Sequence, residues 1–545
     1  MRWLIERLRF DRNKKALHNI LSQSSPVDFT IVGRHLLHAA IVGLAAGLVG
    51  AAFFAGLEYL QRILLEDLGG YNPLRAAGEN FLAPRTEPSV FRPWLLVLLP
   101  AVGALACGII TQLAPEARGG GGDAMIDAFH HHGGNIRRRV IWVKALASLF
   151  TLGSGGSGGR EGPTMQIGAA LGSRAGWILG VSPAERRILM VAGVAAGISA
   201  VFRTPLGAAL LAVEVLYRDD FESEALIPAV LASVVAYSVV ISIFGESTLF
   251  WQPSRFPFVP AHLWLYGVMA LLVALLANLF ISSLRAVQSV SGRLAVPEWA
   301  KPAIGGLALG VFAVPLVILV GWRVGESGQG LGLLGGGYGA VQVAISGAAW
   351  LPGGWSGVAL LAGLCIAKIF ASSLTIGSGG SAGDFAPSLV IGGLFGGAFG
   401  RAVQMLSDDP RINPAAFALI AMGTFYGGLA HAPLSSLIIV CELAGSYDLL
   451  VPLMLAEGIA FIALRKRSLY RAQLPNRRQS PVHADDSGLI VVPPLPPPPA
   501  PPESPPRYPE APPTVEVALA EAADREPEGA VLPPPLPGPE RGPRE

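Results

Sequence analysis

Two stretches rich in glycine and serine decide the fold of this chain: residues 153–163 read GSGGSGGREGP, and residues 377–387 read GSGGSAGDFAP. Seven of the eleven positions are identical when position 153 is matched with position 377. A second pair follows in the same order, TPLGAALLAVE at 204–214 and APLSSLIIVCE at 432–442, at nearly the same spacing. Two ordered matches at nearly one spacing predict a duplication. The first half extends to about residue 250, and the second from about 260 to 475.

Each glycine-rich stretch joins two apolar segments and ends in a proline. Proline suits the first turn of a helix, where its missing N–H has no helical acceptor. Glycine allows a sharp turn and a close approach of the backbone to a ligand. Each copy therefore predicts a helix N-terminus, with free N–H groups and a partial positive charge, at a break inside the apolar region. Two such N-termini converging from the two halves would form a site for a small anion.

The composition excludes an ordinary soluble protein. Of 545 residues, 52% are hydrophobic and 14% are charged, with a mean hydropathy of +0.51, whereas soluble domains carry about 25% charged residues. Several apolar runs approach the roughly 20 residues of a spanning helix. Others are short and end at glycines, as is typical of transporter binding sites. We expect an all-α multi-pass membrane protein built from two inverted-topology repeats, whose broken and short helices meet at an anion site near the bilayer midplane.

Charge and proline content divide the chain into four parts. Residues 1–34 are a basic N-terminal segment, residues 35–250 and 251–475 form the two membrane repeats, and residues 476–545 are a proline-rich tail that we expect to be disordered. Basic residues cluster before the first apolar run and after the last, which places both termini in the cytoplasm by the positive-inside rule. Because the segment 1–30 lacks a signal-peptide pattern, we expect an integral protein of the bacterial inner (plasma) membrane.

Glu161 lies among the glycines at the start of a predicted membrane helix. A carboxylate inside a membrane is costly and usually functional. Near a helix N-terminus it can occupy the anion site itself, and protonation would neutralise and release it. We therefore predict that Glu161 is both a gate and a proton carrier. The alternatives for Glu161 are a simple charge at the helix start or an ion pair with Arg160, and the alternative for the glycine-rich stretches is glycine-mediated helix packing. A phosphate-binding loop is excluded because no Gly-Lys-Ser/Thr follows.

These motifs resemble those of the CLC family of chloride channels and chloride/proton exchangers, over roughly residues 35–475. GREGP at 159–163 is similar to the family segment that carries the external gating glutamate, here Glu161. GDFAP at 383–387 looks like the segment whose backbone amides hold the central anion, and SLYRAQL resembles the segment with the central tyrosine, here Tyr470. The resemblance implies an anion site formed by Gly121, Gly159, Arg160, Gly162, Gly383, Asp384, Phe385, Ala386 and Tyr470.

Two positions depart from the family pattern. Where the family has Gly-Ser-Gly-Ile-Pro this chain has GGGGDAM, so Gly121 replaces a serine that would contact the anion, and the preference for chloride over nitrate is in question. At the inner proton position of the best-known exchangers, the resemblance places Val215, which cannot titrate. Glu214, which precedes it, matches Glu442 in the repeat and is interpreted as structural. Four acids lie just beyond, and no feature singles one out: Asp219, Asp220, Glu222 and Glu224.

Chloride/proton exchange gated by Glu161 is the leading hypothesis, and a passive chloride channel is the alternative that Val215 favours. A fluoride exporter is less favoured because Tyr470 is retained. The expected partners are chloride or other small anions, protons and the lipid bilayer, with no cofactor, metal or nucleic acid. The resemblance further implies a homodimer with one pore per subunit, in which segments 188–217 and 417–443 contribute to the interface.

A membrane-embedded enzyme belongs to a different class. His130, His131 and His132 lie close in sequence to Asp123 and Asp127, two acids that share a helix face. Consecutive histidines point in different directions, however, so the pattern favours a solvated loop over a metal site. A scaffold that acts through the proline-rich tail is a third possibility. For a transporter, we expect activity to survive deletion of residues 482–545.

Overall fold

The computed structural model describes residues 29–79, 90–251, 255–348, 350–407 and 409–483. Within these ranges the chain is almost entirely helical. The basic residues near the N-terminus and the tail beyond residue 483 lie outside the described residues, so the predictions made for them stay predictions.

Eight helices form the first half of the described chain. They are α1 (Phe29–Gln61), α2 (Pro93–Ile110), α3 (Gly122–His131), α4 (Arg139–Gly153), α5 (Glu161–Ile178), α6 (Pro183–Phe202), α7 (Pro205–Glu214) and α8 (Leu226–Phe244). The second half repeats this series as α9 (Leu263–Arg293), α10 (Lys301–Val324), α11 (Tyr338–Ser346), α12 (Gly354–Gly377), α13 (Phe385–Ser407), α14 (Pro414–Ala430), α15 (Pro433–Ala444) and α16 (Leu450–Leu464).

Helix boundaries repeat between the halves for the same local reasons. The helices α6, α7, α14 and α15 each begin at a proline, where a missing N–H is tolerated. Arg203 ends α6 and His431 ends α14 in the left-handed conformation, with φ of 58° and 55°. Each of them directly precedes its copy of the second repeated segment, and each is the sharp turn that allows a proline-led helix to follow at once. The duplication predicted from the sequence therefore extends to individual backbone angles.

The two halves are related by an inversion. Gly159 and Gly383, which occupy matching places in the repeat, form an antiparallel bridge with each other. An antiparallel pairing of equivalent residues requires that the two copies run in opposite directions, as expected for inverted repeats. The predicted all-α, two-repeat fold is confirmed.

Seven helices are long and apolar enough to cross a membrane, in the part of the chain that the structure describes. Large apolar side chains on the outer surface are exposed, for example Trp322 at 80% and Leu406 at 74%. Such a surface suits lipid, since a soluble protein rarely exposes extended apolar patches. The shorter helices α3, α7, α11 and α15 span 9 to 12 residues and are too short to cross alone.

The prediction of the dimer segments is wrong in part. Residues 415–430 of α14 are all buried within the single chain, as are residues 189–202 of α6. These helices therefore have no surface to offer a second subunit. Only α7 and α15 of the predicted segments expose large apolar side chains, namely Leu206 and Leu434.

The predicted start of the tail at residue 476 is too early. The amide of Arg477 donates to Asp220 at 3.0 Å, Ser480 lies 2.8 Å from the ring of buried His130, and His483 lies 2.9 Å from buried Glu222. Residues 476–483 are thus part of the helical body. The prediction assigned this segment to the tail on its proline content. Polar contacts, rather than apolar burial, hold the segment in place, and a count of apolar residues does not detect them.

Candidate anion and proton site

Two helix N-termini converge at the centre of the molecule, one from each half. The helix α5 begins at Glu161 and α13 at Phe385, as the glycine stretches predicted. The amide of Gly159 donates to the carbonyl of Gly383 at 2.7 Å, and the amide of Gly383 donates back at 2.7 Å. This reciprocal pair fixes the two helix starts against each other. Because these two amides are used, the amides left without a helical acceptor are those of the first turns of α5 and α13, including Gly162 and Ala386.

The Glu161 carboxylate lies at this convergence. The side chain is 1% exposed, and the hydroxyl of Tyr338 donates a hydrogen bond to Oε1. A Cβ atom at Gly159 would collide with Oε2 of Glu161 and would lie 3.0 Å from the amide nitrogen of Ala386. The carboxylate therefore rests over Gly159, beside the start of α13. A negative group held at this place occupies the position that the helix dipoles favour for an anion.

Aromatic rings form the wall of the same region. The ring of Phe385 lies 4.7 Å from that of Phe202 and 4.1 Å from that of Tyr426, and Phe202 also contacts Tyr338. These rings exclude water around the helix starts, and a low dielectric strengthens the partial charges of the amides. The backbone at Gly162 packs directly against the other half of the chain, since a Cβ there would lie 2.7 Å from the Cα of Gly383.

The Arg160 side chain lies in a network of acids beside Glu161. Its guanidinium lies 3.4 Å from Glu58, 3.2 Å from Glu79 and 3.8 Å from Glu161, and stacks over the ring of Phe54 at 4.7 Å. Arg75 joins the same network through Glu58 and Glu66. The anion-binding role predicted for Arg160 stays a prediction, and its guanidinium is already engaged by acids. A cavity of about 50 Å³ lies beside this network, lined by Glu58, Arg75, Glu79, Arg160 and Tyr338 among others.

Tyr470 and Asp384 meet at a second cavity. The Tyr470 hydroxyl lies 3.2 Å from Oδ1 of Asp384, and both side chains are buried, with Asp384 8% exposed. The cavity measures about 280 Å³ and shares none of its lining residues with the first. Its wall includes the glycines at 119–122, Asp123, Arg285 and Arg471. The sequence argument considered only the backbone of Asp384, whereas the structure brings its carboxylate to the predicted anion-binding tyrosine.

The glycine run at 119–122 is required by the backbone and by Tyr470. Gly121 precedes α3 with a φ of 93°, and a Cβ there would lie 2.8 Å from Oε1 of Gln166. A serine at this position would be strained. A Cβ at Gly122 would lie 2.6 Å from the Tyr470 ring. Gly121 thus occupies a left-handed turn that a serine would strain, and it has no side chain to offer an anion.

Two buried lysines hold the glycine turns in place. Lys144 donates to the carbonyl of Gly119 at 2.6 Å, and Lys368 donates to the carbonyl of Gly335 at 2.8 Å. The lysines occupy matching places, since each lies equally far before the glycine-rich stretch of its own half. The turns they hold lead into α3 and α11, and Gly337 mirrors Gly121 with a φ of 91°. Sequence reasoning missed this pair, although a lysine at the same place in each repeat was a usable signal.

Glu214 and Glu442 cap each other's helices. Glu214 accepts from the amides of Leu434 and Ser435 at 3.1 and 2.8 Å, and Glu442 accepts from those of Leu206 and Gly207 at 3.1 and 2.8 Å. Each carboxylate therefore satisfies the first-turn amides of the short helix in the other half. This geometry fits the structural interpretation of Glu214.

The side chain of Val215 is fully buried and does not reach water. The amide of Gln473 covers this turn, donating to the carbonyls of Val215, Tyr217 and Ala430 at 3.1, 2.8 and 2.9 Å. The segment after Tyr470 thus seals the end of α7.

The histidines divide between two environments. His130 is buried and contacts Ser480 and the carbonyl of Leu216, whereas His131 and His132 lie at the surface beside Asp127, at 3.0 and 3.3 Å. Among the described residues, no group of three or more histidines, cysteines or acids is arranged to hold a metal.

Comparison with known proteins gives consistent matches. The sequence model of the family described as "Voltage gated chloride channel" matches residues 102–465. Two curated relatives, each named H(+)/Cl(-) exchange transporter ClcA, are 30% identical. The one from Salmonella paratyphi B aligns over 424 residues, 77% of this chain and 83% of the relative. The one from Vibrio campbellii aligns over 466 residues, 83% of this chain and 90% of the relative.

Solved structures match the fold. A slow cyanobacterial Cl-/H+ antiporter superposes with a TM-score of 0.65 at 23% identity, covering 79% of this chain and 94% of that one. A CLC-type fluoride/proton antiporter superposes with a TM-score of 0.64 at 22% identity, covering 83% and 100%. At these identities the likeness bears on the fold alone.

Proposed function

Because the chain belongs to the voltage-gated chloride channel family, we propose that it exchanges chloride for protons across a membrane, with Glu161 as gate and proton carrier. The observation that carries this proposal is the position of the Glu161 carboxylate, buried at two converging helix starts and held by the Tyr338 hydroxyl. The names of the two relatives, both exchange transporters, support exchange of chloride for protons rather than passive flow.

Ionised Glu161 fills the place of an anion beside the amides of α5 and α13. Protonation removes its charge, weakens its attraction to the helix N-termini, and lets the side chain leave the site to chloride. Chloride then meets partial charges and no full positive charge, because Arg160 is engaged with Glu58 and Glu79. Binding by partial charges is weak enough to permit release, which conduction requires.

The basic segment after α16 supports an orientation. Arg465, Lys466, Arg467 and Arg471 follow the last membrane helix directly, and such clusters mark the cytoplasmic side. Arg471 also lines the second cavity. The cavity at Tyr470 would therefore open to the cytoplasm of a bacterial inner membrane, and the Glu161 gate would face the outside.

A homodimer with one pore per subunit is part of the same proposal. The helices α7, α8, α15 and α16 expose large apolar side chains, including Leu206, Ile227, Leu434 and Met454. We propose that a second copy covers part of this face, because α6 and α14 behind it are buried within one chain and give it a rigid support.

A passive chloride channel is the second candidate, favoured by buried Val215 at the inner proton position. Purified protein in liposomes separates the two. Liposomes are loaded with high chloride and diluted into low chloride, with valinomycin and potassium holding the membrane potential near zero. External chloride and pH are recorded together.

An exchanger will draw protons inward as chloride leaves, so the external pH will rise, and protein-free liposomes will show neither signal. Chloride efflux with no proton movement would make the protein a channel. A flux of fluoride or nitrate far above that of chloride would overturn the choice of anion.

A further inference from the structure

With Val215 unable to titrate, a proton on the cytoplasmic side needs another acceptor. The four acids that follow Val215 are poor candidates because each is already engaged. Asp219 lies 3.8 Å from Arg465, Asp220 accepts from the amide of Arg477, Glu222 accepts from the Tyr217 hydroxyl at 2.8 Å, and Glu224 pairs with Arg477 at 2.9 Å. The contacts of Asp220 and Glu224 with Arg477 tie the segment at 476–483 to the body of the protein.

Asp384 differs from those acids in its place and its neighbours. It is buried, it lines the cavity of about 280 Å³, and the one side chain that hydrogen-bonds to it among the described residues is Tyr470, through the hydroxyl. Two further charged groups act on it, Asp123 and Lys144, and the ammonium of Lys144 is already bound to the carbonyls of Ala117 and Gly119. A carboxylate without a cation in direct contact, facing a cavity that water can enter, is suited to gain and lose a proton.

Asp384 and Glu161 lie on either side of one structural pair. Asp384 follows Gly383 directly, and Glu161 is the second residue after Gly159, the partner of Gly383 in the reciprocal hydrogen bonds. Glu161 contacts Tyr338, which lines the first cavity, while Asp384 contacts Tyr470 at the second. The two carboxylates thus flank the converging helix starts, one toward each cavity.

We propose that Asp384 is the proton-transfer residue on the Tyr470 side of the pathway, in place of an acid at Val215. Its carboxylate takes a proton from water in the second cavity and releases it toward Glu161, which gives it up on the opposite side. No bond other than O–H forms or breaks. The charge of Asp384 also controls the anion. When it is ionised, it holds the Tyr470 hydroxyl and repels chloride, and when it is protonated, both obstacles are removed.

This inference rests on the proposed chloride/proton exchange, and the liposome assay tests it with Asp384→Asn. The variant keeps the shape of the side chain and cannot carry a proton. We expect chloride efflux to persist while the protons moved per chloride fall at least ten-fold. Asp127→Asn is the matched control, because Asp127 lies on α3 but at the surface, paired with His131 and outside the lining of the cavity. Its coupling ratio is expected to stay within two-fold of the wild type.

The outcomes separate the two proposals. A wild-type protein that moves chloride without protons overturns the exchange itself. A coupled wild type with an equally coupled Asp384→Asn variant overturns only the role of Asp384. A folded Asp384→Asn variant that moves no chloride also overturns it, because the side chain would then serve anion passage alone. If Asp384→Asn does not fold, Asp384→Ser carries the same test with the same outcomes.

Discussion

Tyr338 is the residue on which the proposed gate rests most directly. It begins α11, it is buried, and its hydroxyl donates to Glu161 across 177 positions of sequence. A hydrogen bond to a charged group contributes about 1.5–3 kcal/mol. In the proposed mechanism this bond stabilises the state in which Glu161 blocks the anion, so it slows the opening of the pathway.

Replacement of Tyr338 by phenylalanine is predicted to speed chloride transport. The ring stays and the hydroxyl is lost, so Glu161 is held less firmly, and a loss of about 1.4 kcal/mol corresponds to a ten-fold change. We expect chloride efflux at neutral pH to rise several-fold in liposomes. Tyr266→Phe is the control, because Tyr266 is a buried tyrosine of α9 that stacks on Phe417, away from Glu161. An unchanged or slower rate in Tyr338→Phe would contradict the account.

Single residues were predictable where the sequence repeats itself, and unpredictable where contacts cross the halves. The glycines and prolines of the two copies located both helix starts, and a glutamate with no counterpart in the other copy stood out among them. Tyr338 follows GGG at 335–337 and carries no motif. Its role depends on its contact with Glu161, and only folding brings the turn before α11 close to that residue. The Asp384 carboxylate was missed for the same reason, since only the structure places Tyr470 beside it.

At the scale of helices, the exchange of caps between α7 and α15 is a structural device with a testable consequence. Glu214→Gln removes a buried charge that accepts two amide hydrogen bonds. We expect the free energy of unfolding to fall by about 1–3 kcal/mol and the ratio of protons to chloride to stay that of the wild type. Thermal unfolding in detergent and the liposome assay measure the two effects. Loss of proton coupling with wild-type stability would instead make Glu214 the inner proton acceptor.

The network of ion pairs that joins Arg75 to Glu58, Glu66 and Arg160 is predicted to stabilise the folded structure around the first cavity. Arg75 links Glu58 on α1 to Glu66, and Glu58 in turn contacts Arg160. Breaking a fully buried pair destabilises by about 3–5 kcal/mol, and the loss here is smaller because the Arg75 side chain is 24% exposed although Glu58 is buried. Arg75→Gln should therefore lower the unfolding temperature clearly.

The matched control is Arg137→Gln, which breaks an ion pair with Glu116 at the surface. Exposed pairs contribute about 0–1 kcal/mol, so little change is expected. Equal unfolding temperatures for the two variants would show that the ion pairs of Arg75 do not stabilise the fold.

Over the whole molecule, the two halves have the same series of helices but carry different side chains at matching places. The matching places of the repeat hold Arg160 and Asp384, then Glu161 and Phe385. One half therefore contributes the proposed gate and a cation engaged with acids, and the other contributes an aromatic ring and the carboxylate at Tyr470. The sequence predicted this architecture because glycine and proline dictate helix breaks locally. It did not predict which helices keep an exposed apolar face, since which helix is buried depends on the packing of the complete chain.

The extent of the folded body sets where the chain can be shortened. Residues 476–483 contact buried His130 and Glu222, so a deletion of residues 484–545 is predicted to leave chloride and proton transport unchanged. A deletion of residues 476–545 removes these contacts and should lower the unfolding temperature. Both are measured on purified protein by thermal unfolding and in liposomes. Loss of transport in the shorter deletion would assign the proline-rich tail an essential role.

The most direct test of the account is the transport of Glu161→Gln beside the wild type. The liposomes carry an outward chloride gradient at equal pH on both sides, and chloride and protons are followed together. The glutamine keeps the size of the side chain but holds no charge and carries no proton. We predict that chloride efflux continues, with little dependence on pH between 4 and 7, while proton uptake disappears. Proton uptake in Glu161→Gln equal to that of the wild type would contradict the central claim that this residue carries the proton.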